Sequence, residues 1–376
     1  MLGYILWDYS SVLFSFGKFT LRWDGFLLIL AFIVGRQILI HIYEKEGQPK
    51  KEVDILARYL VIGSFVGARL GHVIFFQPEQ WAMPLTIFLP FEFNPFLFIG
   101  FSGFSIHGAV LGILLAIWIY TRKMKQAHPF MYVLDRTSIF GMWILVFMLV
   151  GSFLNSEVEG KPTNSFAGTV FINPIVKGLQ RLPCCMMRNP GGKSPLTKVI
   201  AKKENTQVKN EHGHQSVVLY FFFNSGTAKS IVNDYLIGDV KTYLYDMAQY
   251  VYEPGTEPLH YSIFEEANGD FEARVSTLGI ARHPVQLYMA FSALLLLSHF
   301  AWYWNKFKLS IKPGRIFGFG MAILWSLQFL FEFLKENQAS FITGIGLNKA
   351  QVLCVPFILV GIYCLILSYR KVEIKN

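Results

Sequence analysis

The sequence predicts an all-α polytopic membrane protein: seven transmembrane helices with an outward-facing, partly β head domain inserted between the fourth and the fifth. Three observations lead there. Of 376 residues, 53% are hydrophobic and 16% charged, with 36 phenylalanines, whereas a soluble domain carries about 25% charged residues. Seven stretches are long and apolar enough to cover a hydrocarbon layer, which takes roughly 20 residues of helix. A long polar segment separates the fourth of these from the fifth. The net charge of +9 would suit nucleic acid only as a basic stripe on a folded surface. Here the charges sit at the ends of apolar runs, so a membrane partner is expected and a nucleic-acid partner is not.

The first 23 residues, "MLGYILWDYSSVLFSFGKFTLRW", lack the basic start, apolar core and small-residue cleavage site of a signal peptide. They are expected to stay on the mature protein as an aromatic-rich arm (1–23) at the membrane interface. Spans follow at about 24–43, 57–77, 104–121 and 130–154, then at 284–304, 314–334 and 350–369. The first four make up 24–154 and the last three 284–376, which ends in a cytoplasmic tail. Within the first group, residues 80–101 are apolar but carry three prolines. They read as an interfacial or re-entrant segment, because irregular backbone is not tolerated against lipid.

Lysine and arginine in short loops set orientation. One side holds Lys45, Lys50, Lys51 and Arg58, then Arg122, Lys123 and Lys125, then Lys306, Lys308, Lys312 and Arg315, and finally Arg370, Lys371 and Lys375. The opposite short segments hold only Lys18, Arg22, Lys335 and Lys349. The N-terminus is therefore expected outside and the C-terminus in the cytoplasm. Residues 155–283 become an outward head, basic over about 161–211 and acidic from there to Ala281. In it "SVVLYFFFNSG" and "LHYSIFEEANGDFEARVS" read as strands joined at turns, and "RNPGGKSPLTKVIAKKENTQVKNEHGHQ" as a long mobile loop. This charge pattern suggests an envelope protein partner at the head.

Cys184 and Cys185 are adjacent, and Cys354 and Cys364 lie in an apolar run. That layout gives no disulfide framework and no metal spacing. No metal and no cofactor is implied.

Ionisable groups inside spans are costly, so each asks for a reason. Arg69, in "GSFVGARLGHVIFF", needs an anion or a cluster of carbonyls. Gly63, Gly67 and Gly71 beside it recur every four residues and read first as a helix-packing seam. His107, in "SIHGAVLG", is either a hydrogen-bonded imidazole at a capped helix start or a general base at a lipid-facing cavity. "LVGSFLNSEVEG" ends the fourth span with Ser152, Asn155, Ser156, Glu157 and Glu159, which is either a solvated helix end or part of a site. "ARHPVQLY" opens the fifth span with Arg282 and His283 before Pro284, proline being suited to a helix start. Glu332 lies within a turn of the end of the sixth span, near Gln328, and needs a partner, for which Arg69 and Arg282 are the candidates. All five of His107, Asn155, Glu157, Arg282 and Glu332 map to the outer leaflet. Together they suggest a hydrophilic pocket for an anionic phospholipid headgroup, with imidazole as base and guanidinium as anion clamp.

At these residues the chain resembles the prolipoprotein diacylglyceryl transferases, and the likeness runs through nearly every span. "FSIHGAVLG" is similar to the family's Ser-Phe-His-Gly-Gly element, which puts its essential histidine on His107. "FLNSEVEGKPT" is similar to the Asn-(Gly/Ser)-Glu-x-x-Gly signature and gives Asn155, Glu157 and Gly160. "RHPVQLY" resembles Arg-His-Pro-(Ser/Ala)-Gln-Leu-Tyr, and "VGARLGHVIFF" resembles a Gly-Gly-Arg-x-Gly-Tyr helix. The resemblance implies a multi-pass protein of the bacterial inner membrane. Its expected reaction moves the diacylglyceryl unit of phosphatidylglycerol onto the lipobox cysteine thiol of a prolipoprotein, next to the signal peptide, and releases glycerol phosphate. It further implies His107 as the catalytic base, with Arg69, Ser152, Asn155, Glu157, Gly160, Arg282 and Glu332 binding substrate.

The chain departs from the family pattern at specific positions. An essential arginine falls on Leu149 and the asparagine after it on Ser152. A second arginine, four residues before Glu332, falls on Gln328. The family's tyrosine near the first span falls on Asp24, and the glutamate after the "RHPVQLY" run on Met289. Losing a charge-assisted clamp on a desolvated anion costs several kcal/mol. The alternative expectation is thus a catalytically impaired member that binds lipid or lipoprotein as a subunit of an envelope complex. A transporter is disfavoured by the lack of a repeat between the halves.

Overall fold

Uninterrupted apolar sequence becomes helix here, and alternating sequence between spans four and five becomes sheet. The computed structural model describes residues 4–16, 19–82, 87, 89, 91–93, 96–98, 103–124, 128–157, 160–182, 195–204, 213–224, 226–266, 269–336 and 346–370. In chain order these form β1 (Ile5–Trp7), β2 (Val12–Phe16), β3 (Phe19–Arg22), α1 (Trp23–Lys45), α2 (Lys50–Phe75), β4 (Phe91–Phe93), β5 (Phe96–Phe98), α3 (Ile106–Lys123) and α4 (Phe130–Leu154). The head follows as β6 (Thr169–Phe171), α5 (Asn173–Arg181), β7 (Leu196–Lys203), β8 (His214–Phe223), α6 (Lys229–Tyr235), α7 (Lys241–Asp246), β9 (Val251–Tyr252), β10 (His260–Glu265) and β11 (Phe271–Arg282). Last come α8 (Val285–Phe307), α9 (Arg315–Phe331) and α10 (Lys349–Arg370).

Two units result. A head unit comprises Met1–Leu27, Met148–Tyr288 and Phe333–Gln338; a helical unit comprises Leu28–Phe147, Met289–Glu332 and Ala339–Asn376. Six helical segments among the described residues are long and apolar enough to cross a membrane: Trp23–Lys45, Ile106–Lys123, Phe130–Leu154, Val285–Ser310, Arg315–Leu334 and Lys349–Tyr369. The protein is thus a polytopic membrane protein. Helix α2 has 26 residues but carries Arg58 and Arg69 along with a charged first turn. It starts at Lys50, ahead of the expected 57, because its first turns are amphipathic. Val53, Leu56, Ala57 and Leu60 are buried there, while Lys51, Asp54 and Arg58 face out.

The glycine seam on α2 packs against a matching one on α3. A Cβ built on Gly63 would lie 2.5 Å from Ala116 Cβ, on Gly67 2.4 Å from the Gly108 carbonyl oxygen, and on Gly71 2.5 Å from Gly108 Cα. Backbone meets backbone, so no flexible side chain can yield. Gly67→Ala is expected to lower stability by about 1–3 kcal/mol through overpacking. Gly141→Ala is the control: the added methyl meets nothing within 4 Å, and alanine favours the helix. Thermal unfolding in detergent should show the first variant melting lower and the second not.

The head core lies between a seven-stranded sheet, of order β1-β6-β11-β8-β7 with β9 and β10 also on β11, and the amphipathic α5. Ile175, Val176 and Leu179 of α5 pack with Val170, Val217, Leu219, Phe221 and Val275. Strands β10 and β11 pair antiparallel from His260↔Ser276 to Glu265↔Phe271, within the run "LHYSIFEEANGDFEARVS".

One expectation is corrected. The stretch read as one long mobile loop contains β7, paired antiparallel with β8. Its flanking glycine, proline and lysine hide an alternation in which Val199 and Ala201 face inward and Lys198 and Lys202 outward. The N-terminal arm contributes a strand to the head sheet. Ile5–Trp7 adds a parallel strand to β6, and the Tyr4 hydroxyl donates to the Ser216 carbonyl at 2.6 Å. Within 80–101, the described parts are the end of a 3-10 turn, Pro78–Ala82, residues 87 and 89, and the two-stranded β4–β5. The rest of that segment, and Cys184 and Cys185, lie outside the described residues.

Candidate functional site

In the helical unit the site begins where α3 starts. Ser105 caps the helix, its hydroxyl accepting from the Gly108 amide at 3.3 Å, and this sets His107 in the first turn, 3% exposed. The imidazole lies 4.8 Å from the Trp325 ring and 5.9 Å from Phe357, while those two rings stack on each other at 4.4 Å. Arg69 occupies the same corner. Its Nε donates to the Ile87 carbonyl and its Nη1 to the Gly103 carbonyl, each at 2.7 Å, and its guanidinium sits 5.6 Å from the Phe104 ring centre. The Ser105 amide in turn donates to the Ala68 carbonyl. Arg69 therefore has a carbonyl cluster, the second of the two partners its burial demands.

Trp325, Gln328 and Glu332 fall on one face of α9 and its 3-10 extension, seven residues or roughly 10 Å from end to end. Glu332, 4% exposed, accepts from Gln328 Nε2 at 2.8 Å and from Asn348 Nδ2 at 3.0 Å. Asn348 and Gln351 bind each other reciprocally at the start of α10. The wall that begins at the histidine thus ends in a carboxylate held by two side-chain amides. Asn348 and Gln351 are not evident in the sequence, where neither stands in a quoted motif.

In the head unit the site is built around the end of α4. The Ser156 amide donates to the Phe153 carbonyl at 2.9 Å and the Glu157 amide to the Ser152 carbonyl at 3.2 Å, the two bonds of a Schellman cap. Ser156 takes the left-handed position of that cap, with φ 58°. Gly151 packs against the Asp24 backbone, a built Cβ meeting Asp24 Cα at 2.9 Å. Ser152 is half-buried, Asn155 and Ser156 are buried, and Glu157 is exposed. Glu159 lies outside the described residues.

Arg282, 3% exposed, braces three segments. Its Nε donates to the Gln249 carbonyl, and its Nη1 donates to the Gly160 carbonyl and pairs with Glu336 at 2.7 Å. The carboxylate that Arg282 pairs with is therefore Glu336. Gly160 has no room for a side chain, since a Cβ would come within 2.0 Å of the His283 carbonyl oxygen. Gln286, buried, donates to the Glu157 carbonyl at 2.6 Å. His283 approaches the Tyr288 hydroxyl at 3.3 Å, and burial lowers its imidazole below the usual range. Burial likewise pushes the Tyr250 phenol up, opposed by Arg282 and reinforced by Glu157.

The expected site residues thus form two groups. Arg69, His107 and Glu332 belong to the helical unit, and Ser152, Asn155, Glu157, Gly160 and Arg282 to the head unit. Among the described residues no cluster of His, Cys, Asp and Glu has the makings of a metal site.

A family model described as prolipoprotein diacylglyceryl transferase matches residues 11–367. The chain is similar to the phosphatidylglycerol–prolipoprotein diacylglyceryl transferase of Tolumonas auensis, 25% identical over 370 residues that cover 98% of each chain. It is 23% identical to the protein of that name from Chloroherpeton thalassium, over all of this chain and 98% of the relative. The one from Solidesulfovibrio magneticus is 30% identical over 181 residues, 47% of this chain and 63% of the relative.

Proposed function

The chain belongs to the prolipoprotein diacylglyceryl transferase family, and from that premise we propose that it transfers the diacylglyceryl group of phosphatidylglycerol to the cysteine thiol of prolipoproteins in lipoprotein maturation. The family match across residues 11–367 carries this reading. In the proposed step, His107 takes the proton of the thiol. The sulfur attacks the glyceryl carbon that bears the phosphate ester. The C–S bond forms as the C–O bond breaks, glycerol phosphate leaves with the electron pair, and the proton passes from the imidazolium to the departing phosphate.

Glu332 and its amide partners line the wall beyond the histidine in this reading, and Ser152, Asn155, Glu157 and Gly160 carry headgroup contacts. Arg69 and Arg282 remain proposed anion contacts. Their carbonyl bonds support a positioning role for them as well, holding the loop before α3 and the segment around Gly160. The lysine and arginine distribution supports seven spans with α2 among them, the N-terminus outside and the C-terminus cytoplasmic, in the inner membrane. The exposed lysines of β7, Lys198, Lys202 and Lys203, support an envelope protein partner at the head.

The test is rescue of a bacterium depleted of its own transferase, together with thioether formation on a lipobox peptide by the purified protein in phosphatidylglycerol micelles. Rescue and product are expected. Good membrane insertion with neither would leave the second reading, a lipid-binding member without turnover. One observation favours that second reading: Leu149 and Gln328 stand where the family places arginine, and Gln328 spends its amide on Glu332. If the phosphate is under-clamped, Leu149→Arg with Gln328→Arg should raise kcat/KM about tenfold, worth ~1.4 kcal/mol at the transition state. An unchanged rate would show that other groups hold the anion.

A further inference from the structure

The cap that ends α4 is made by a residue poorly suited to it. The left-handed position of a Schellman cap is the usual place for glycine, because a Cβ there crowds the following carbonyl. This chain has Ser156, at φ 58°. The side chain that brings this cost is 3% exposed, and its hydroxyl has no hydrogen-bond partner among the described residues. Asn155, 7% exposed, is in the same state at both Oδ1 and Nδ2. Buried polar atoms are nearly always paired, and leaving them unpaired works against folding. Two consecutive residues with three such atoms are most simply explained by a ligand that completes them.

The atoms specify that ligand's chemistry. The Asn155 amide offers two donors and an acceptor, and the Ser156 hydroxyl offers one of each. A phosphodiester, with acceptors only, would leave Asn155 Oδ1 unserved. A neutral group with adjacent hydroxyls serves both kinds of atom. We propose that Asn155 and Ser156 recognise the terminal glycerol hydroxyls of the phospholipid headgroup, which makes Ser156 a determinant of headgroup specificity. This rests on phosphatidylglycerol being the lipid substrate, and it adds the residue that distinguishes its headgroup from one without hydroxyls.

The experiment compares wild type, Ser156→Gly and Ser156→Ala on phosphatidylglycerol and on phosphatidylethanol, whose headgroup has no hydroxyl. Glycine removes hydroxyl and strain together, and alanine removes the hydroxyl alone. Ser156→Gly should raise Tm. In both variants the wild-type preference for phosphatidylglycerol, read as a ratio of kcat/KM values, should fall about tenfold. A higher Tm with an unchanged ratio would overturn the proposal and make Ser156 a helix cap only. If wild type forms no thioether with either lipid, transferase turnover fails separately and lipid-induced shifts in Tm decide. A larger shift from phosphatidylglycerol that disappears in the variants sustains headgroup recognition; equal shifts in wild type overturn it.

Discussion

His107→Ala is expected to lower kcat/KM for thioether formation by about 10²–10⁴-fold, the range a positioned general base contributes, if His107 has the proposed role. The loss belongs to chemistry more than to folding. The imidazole occupies the first turn of α3 with Ser105 as the cap, so removing it leaves the cap and the glycine seam in place. What disappears includes tilted ring contacts with Trp325 at 4.8 Å and Phe357 at 5.9 Å, each worth about 0.5–1.5 kcal/mol. His107→Phe keeps a ring against Trp325 and cannot take a proton, so it should melt near wild type and stay inactive. The measurement is single-turnover mass analysis of the lipidated peptide, with Tm on the same samples. An alanine variant that kept half its activity would remove His107 from the proton-transfer step.

The helices were legible because about twenty consecutive apolar residues state their solvent directly. α4 ends where the sequence places it, at Leu154, since the apolar run stops there. The start of α2 was less legible because its first turns are amphipathic and look polar when averaged. β1 was hidden for another reason. A strand of three residues becomes one only by pairing, and its partner begins at Thr169, far along the chain. β7 was masked by its flanks, whose glycine, proline and lysine outweighed the alternation of Val199 and Ala201.

Arg69 and His107 were legible by contrast, each being ionisable in an apolar setting. The need of Glu332 for a partner was legible too, but an arginine was expected there, whereas Gln328 and Asn348 donate to it. Ser156 was not legible, because a positive φ leaves no mark in the sequence except at glycine. The resemblance locates both guanidiniums without revealing their partners, and the bonds they make to carbonyls depend on where the loops run. The sequence does show Asp135 and Arg136, inside the apolar run of α4, and by the rule applied to Arg69 they ask for a partner as well.

Their partner makes Arg136→Met the largest expected loss of stability, about 3–5 kcal/mol, the usual result of leaving a buried charge uncompensated. Arg136 and Glu46 side chains are 1% and 0% exposed. Arg136 Nε donates to Glu46 Oε2 at 3.0 Å and Nη2 to Oε1 at 2.9 Å, a bidentate pair. Trp304 Nε1 donates to Oε1 at 2.7 Å, the Tyr132 hydroxyl donates to Oε2, and the guanidinium lies 3.8 Å from the Tyr132 ring centre. Next to it Asp135 accepts from the Gly314 and Phe317 amides at 2.8 and 2.9 Å, which fixes the start of α9. Methionine at 136 fills much of the volume but leaves the Glu46 carboxylate with only two neutral donors in an enclosed site. Arg136 Nη1 also lies 3.9 Å from Asp135 Oδ2, so Glu46→Gln with Arg136→Met should recover the part of the lost stability that comes from the unpaired Glu46 carboxylate, and not the part that comes from Asp135. Thermal unfolding of the four proteins of this cycle in detergent gives the coupling directly. If Arg136→Met melts with wild type, the pair adds nothing to stability and the argument from buried charge fails at Arg136.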